Sequence, residues 1–104
     1  MRKFVVTVES PSKDEAAEFH SWIKSEKFGW WHWVEPMWLL VTKDEVGPSD
    51  IRDKAKVAFN KKAVMVIEVV GETSWAGYMP SAATAKKSPY DWIKSTWQNV
   101  RKSK

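Results

Sequence analysis

The sequence predicts an α+β domain of the ferredoxin-like class, with strands and helices in the order β-α-β-β-α-β. Three observations predict it. Four short runs are rich in β-branched and aromatic residues, and two amphipathic segments with helix-start signals separate them as one-two-one. Right-handed crossovers then put both helices on one face of a four-stranded antiparallel sheet.

Lys3 to Ser10, KFVVTVES, reads as the first strand. Ser12 and Glu15 stand three apart, as in a capping box, and acidic residues fill the first turn of the helix that follows. Ala16, Phe19 and Ile23 recur at helical spacing and are expected to face the core, with Gly29 just past the helix end. Trp30 to Asp44, WWHWVEPMWLLVTKD, reads as two strands around a tight turn, with Pro36 at the second turn position, where its fixed φ fits. Gly47 or Ser49 caps a second helix, Asp50 lies in its first turn, and Ile51, Ala55, Ala58 and Phe59 form its apolar stripe, which ends near Asn60. Ala63 to Gly71, AVMVIEVVG, is the last strand. An irregular stretch over 72–87 leads into a final short helix. Ser88 caps it, Pro89 takes its first position, and Ile93, Trp97 and Val100 share a face. At 104 residues the chain is expected to form one domain, 1–104, with its core in 1–71 and a C-terminal extension in 72–104.

Two helices cover only one sheet face, so the other should alternate in polar residues. It does not. Phe4, Val6 and Val8 oppose Val5 and Thr7 in the first strand; Met37, Leu39 and Val41 oppose Trp38 and Leu40 in the third; Val64, Val66 and Val70 oppose Met65, Ile67 and Val69 in the fourth. A sheet apolar on both sides needs a third layer, either the chain's own tail or a second copy. The expectation here is a homodimer.

Composition narrows the function. The absence of cysteine excludes disulfides, thiolate zinc sites and cysteine nucleophiles, and is compatible with the cytoplasmic location expected here. No apolar run reaches the roughly 20 residues needed to cross a bilayer. The opening MRKFVVTVES lacks a small-residue cleavage site and reads as a strand, not a signal peptide. There is no phosphate loop, dinucleotide turn or nucleophile elbow. The net charge of +4 is concentrated at Lys86, Lys87, Arg101, Lys102 and Lys104, either as a phosphate-binding set or as an ordinary solvated surface.

The eight tryptophans need an account. Burying one indole is worth about 4–6 kcal/mol as an upper figure, whereas stacking one base on an exposed ring returns about 1–3 kcal/mol. Most of the rings therefore belong to a core or an interface. Strand alternation puts Trp31 and Trp33 on one face, and Trp30, His32 and Val34 on the other. The RNA recognition motif has the same element order, but its stacking aromatics lie on the third strand and these lie on the second, so the match fails. His32 suits a general base, a phosphate contact or a structural hydrogen bond. His20 reads as a half-exposed surface residue, and the two histidines lack metal-ligand spacing. Gly71 to Tyr78, GETSWAGY, has the make-up of a binding loop, or of a cover in which Trp75 and Tyr78 close the open sheet face.

Trp30-Trp31-His32 followed by Trp38, then Gly71-Glu72, Trp75, Gly77, Tyr78 and the terminal DWIK stretch together resemble a group of small ferredoxin-fold proteins labelled the SinR family. That group is similar to the small ferredoxin-fold subunit of CRISPR spacer acquisition. The resemblance implies a bacterial or phage homodimer associated with nucleic acid or phage–host conflict. Some of those relatives are metal-dependent nucleases that use an Asp at the end of the first strand of each protomer. Glu9 stands nearest that position here, and its extra methylene displaces the carboxylate a magnesium site would need.

The reading favoured by the sequence is a non-enzymatic homodimer that binds nucleic acid or a nucleotide without a cofactor. Trp30, His32, Trp75 and Tyr78 would contact bases, and the five basic residues would contact phosphates. The rivals are a magnesium-dependent nuclease using Glu9 and His32, and a small inhibitor that binds a defence enzyme through its tryptophans.

Overall fold

The computed structural model describes residues 1–80 and 86–99; Val100, Arg101, Lys102 and Lys104 lie outside the described residues. Its elements are β1 (Arg2–Val8), α1 (Lys13–Ser25), β2 (Gly29–Val34), β3 (Met37–Thr42), α2 (Pro48–Ala58) and β4 (Val64–Val69), followed by a π-helical turn at Ile93–Trp97. The sheet is antiparallel throughout, in the order β2-β3-β1-β4, so β1 is central and β2 and β4 are the edges. This is the expected ferredoxin-like arrangement.

Local chemistry starts and stops the helices. The Ser12 hydroxyl accepts the Glu15 N–H at 3.1 Å, and the Glu15 carboxylate accepts the Ser12 N–H at 2.9 Å, completing the capping box. Gly47 is the cap of α2, and its N–H donates to the Asp50 carboxylate at 2.8 Å. Both helices end in the same motif. Lys27 takes the left-handed position after α1 (φ 59°), and the Phe28 N–H returns to the Ile23 carbonyl at 3.1 Å. Asn60 takes that position after α2 (φ 55°), and Lys61 N–H returns to the Lys56 carbonyl at 2.8 Å. The residue that closes α1 is therefore Lys27. Gly29, expected there, instead opens β2.

The helix-side core joins Phe4, Val6 and Val8 of β1 and Trp38 and Leu40 of β3 to Phe19 and Ile23 of α1 and Ile51, Ala55 and Ala58 of α2. The Phe19 ring meets Trp38 edge-on at 5.5 Å and Phe59 at 5.2 Å. Fully burying such a side chain is worth about 1.5–3 kcal/mol, so this layer holds both helices against the sheet.

The hairpin departs from simple alternation. Trp31 pairs with Leu39 but Val34 pairs with Met37, so two residues of β2, His32 and Trp33, stand against Trp38 alone. This bulge moves Val34 to the Trp31 side of the sheet, not the Trp30 side as alternation predicted. With Val34 paired to Met37, Pro36 is the third, not the second, of the four turn residues Val34 to Met37.

The second sheet face carries the other core. Trp31, Leu39 and Val41 are buried with Ile93 and Trp97, and Val5, Met37, Val69, Trp75, Met79 and Trp92 pack around them. The chain's own C-terminal segment, one of the two covers that the sequence allowed, is thus the third layer over β2, β3 and part of β1. It reaches only Val69 at the end of β4 and leaves Met65 and Ile67 60% and 56% exposed.

A candidate binding cleft beneath the C-terminal segment

The segment leaves β4 through Gly71, whose φ of +81° suits glycine, and turns back across the sheet. Lys3 and Trp31 of the sheet hold it down, and Tyr90 ties it to itself. The Lys3 ammonium donates to the Gly71 carbonyl at 3.0 Å and to the Thr73 hydroxyl at 3.2 Å, and lies 5.1 Å from the Trp97 ring centre. The buried Trp31 indole donates to the Pro89 carbonyl at 2.6 Å. Tyr90 stacks on Trp75 with ring centres 5.9 Å apart, and its hydroxyl donates to the Gly77 carbonyl at 3.4 Å. A Cβ on Gly77 would stand 3.3 Å from the Tyr90 ring, so this crossing favours glycine.

Between segment and sheet lies a cleft of about 340 Å³. Trp31, Leu39 and Val5 of the sheet and Trp75 and Tyr90 of the segment line it, and Thr73 adds a hydroxyl-bearing side chain to the lining. Tyr78, also on the lining, is 84% exposed. The volume lies within the few-hundred-Å³ range of small-ligand pockets, and a mostly apolar lining with few polar groups is their usual character.

The structure divides the predicted site residues. Trp75 and Tyr78 line the cleft. Lys86 and Lys87 are exposed further along the same segment. Trp30 and His32 lie on the opposite, helix-side face: Trp30 packs against the helix-side core, and the His32 ring stacks on Trp38 at 3.8 Å with planes 14° apart. Glu9 is exposed at the end of β1, where its carboxylate accepts the Ala63 N–H at 3.3 Å. Among the described residues no three His, Cys, Asp or Glu side chains gather where they would hold a metal ion. Nor is any helix among them long and apolar enough to cross a membrane.

The histidines, unrelated by sequence spacing, meet in space, with ring centres 5.2 Å apart. The fully buried Trp38 donates its indole N–H to His20 Nε2 at 2.8 Å, which fixes His20 as the Nδ1–H tautomer. His32 Nε2 lies 2.8 Å from the Glu35 carbonyl, an acceptor, so it carries the proton. Burial, then the neighbouring His32 and Lys24, push the His20 pKa below its ordinary value. The first bond clasps α1 to the hairpin, and the second ties His32 within the hairpin turn.

Sequence reasoning passed over Lys3 and Thr73. Lys3 is 4% exposed, and burial lowers the pKa of its ammonium. The available signal was a lysine alternating with Val5 and Thr7 on a strand whose two faces both look apolar. Comparisons with protein-family models, with curated proteins and with solved structures find no match to this chain.

Proposed function

We propose that this protein is a non-enzymatic module that binds nucleic acid or a nucleotide, with the cleft beneath the C-terminal segment as the site that receives a base. The observation that carries the reading is Tyr78, a large ring exposed at the rim of an aromatic-lined cleft. A base entering there would stack on Tyr78 or Trp75, and Lys86 and Lys87 would meet the phosphates. Trp30 and His32 have no part in base contact in this reading, because they pack on the other face.

Fluorescence anisotropy with single-stranded RNA and DNA at low salt tests it. Binding should weaken as salt rises. Tyr78→Ala should cost about 1–3 kcal/mol of the binding free energy, the worth of one stacked base. No binding at low salt, or binding indifferent to salt and to Tyr78→Ala, refutes it.

The proposed working unit is a homodimer joined at β4, the edge that the C-terminal segment leaves open. Its residues Val64–Val69 are β-prone and lack proline, and Glu68, the strand's one charge, is paired with Arg2 at 2.8 Å. Two copies paired antiparallel with Val66 opposite Val66 would set Met65 of each against Ile67 of the other, a self-complementary match. A role in phage–host conflict belongs to this reading through the family resemblance alone. Sedimentation that stays monomeric at high concentration would remove the dimer.

A further inference from the structure

The least expected group in the molecule is the Lys3 ammonium. It is buried on the second sheet face, yet its partners are the neutral Gly71 carbonyl, the neutral Thr73 hydroxyl and the face of Trp97. Among the described residues it has no carboxylate within ion-pair distance, although Arg2 and Lys62 do. A buried cation without a counter-charge is costly, and an anion bound nearby would offset that cost.

The geometry shows where. Thr73 and Trp97 both line the cleft, so the ammonium stands one side chain behind its wall. Ammonium groups only donate, so Thr73 Oγ1 receives the Lys3 N–H and its own hydroxyl proton must point to some other acceptor. Thr73 thus offers the cleft a donor polarised by the positive charge behind it. Glu72, the acidic neighbour in the chain, is exposed. The flat Trp75 and Tyr90 rings, already stacked, line the same cleft.

We infer that the cleft takes a small aromatic anion, one flat ring system bearing a single acidic group, with the ring on the Trp75 side and the acidic group on the Thr73 hydroxyl that Lys3 polarises. This rests on the reading of the cleft as a ligand site and narrows it to the size and charge of a mononucleotide. Lys3 is a positioning residue, since it acts through Thr73.

The test compares two fluorescent probes that share a ring system, anilinonaphthalene sulfonate and its uncharged parent phenyl-naphthylamine, by titration against the intact chain. The wild type should prefer the sulfonate about tenfold or more, in keeping with hydrogen bonds to charged groups. Lys3→Met and Thr73→Val should each lose that preference while keeping affinity for the uncharged probe, and Thr73→Ser should restore it. Near-ultraviolet circular dichroism of each variant, matched to wild type, shows that it folds, since apolar dyes also bind partly unfolded states. Adenosine monophosphate should displace the sulfonate better than adenosine does. If the wild type binds both probes equally, or if the preference survives both Lys3→Met and Thr73→Val, the inference fails while the cleft remains a ligand site. If neither probe binds the wild type, the cleft reading fails, and this inference with it.

Discussion

Replacing Trp31 by phenylalanine tests how the C-terminal segment is held. Trp31 is 3% exposed, and its indole donates the 2.6 Å bond to Pro89, itself fully buried. Phenylalanine keeps a ring over Leu39 but strands the Pro89 carbonyl away from water. An orphaned buried acceptor costs about 1–3 kcal/mol. The lost half of the indole removes on the order of 40 Å² of apolar contact, about 1 kcal/mol more. The sum is about 2–4 kcal/mol, and a domain of this size loses about 4–8 °C of Tm per kcal/mol. Urea and thermal denaturation of Trp31→Phe should therefore show a Tm about 10 °C or more below wild type. Trp33→Phe is the control, since that half-exposed ring should matter by less than about 0.5 kcal/mol. Equal, small effects from both variants would refute the claim that this bond anchors the third layer.

Two further predictions concern pH. Hydrogen bonds from Lys62, Ser12 and Asn60 hold the Glu15 carboxyl at about 2, below its ordinary 4.5. A depressed carboxylate contributes stability that is full above 4.5 and lost as pH falls toward 2, so wild type should lose stability over that window and Glu15→Gln should lose much less. A chemical-denaturation series at pH 2.5 to 6 checks it. His20 is a base with a depressed value, so its stabilisation is complete above about 6.5 and declines as pH falls below that. Once protonated, its Nε2 no longer accepts the Trp38 N–H. NMR titration should give a His20 midpoint below 6.5, and a midpoint at or above that value would contradict the bond.

Much of the fold is legible because local signals agree. Ser12 with Glu15 and the Ile51, Ala55, Ala58 and Phe59 stripe each admit one helical reading, and the four apolar runs admit one pairing order. The bulge was hidden because Trp30 to Val34 has His32 as its one polar residue, too little contrast to mark which residues change sides. The closing of α1 by Lys27 was hidden because glycine is the usual occupant of that conformation, and Gly29 stood nearby. The largest miss has a long-range cause. That the second face is apolar can be read from β1, β3 and β4, but what covers it depends on where Thr73 to Trp97 travels after Gly71, and no local pattern records that path. The same path decides which aromatics belong to the site. Trp75 and Tyr78 meet the cleft because they ride on this segment, whereas Trp30 and His32 are turned to the helices by the pleat of β2.

The central claim is that ligand enters between the C-terminal segment and the second sheet face. The most direct measurement labels the tryptophan indoles with ¹⁵N and follows their resonances during titration with a short single-stranded RNA at low salt. The account predicts shifts at Trp75, Trp31 and Trp97, which line the cleft, and stationary signals from Trp22 and Trp38 in the helix-side core. Shifts at Trp22 and Trp38 with the cleft indoles unmoved would contradict it.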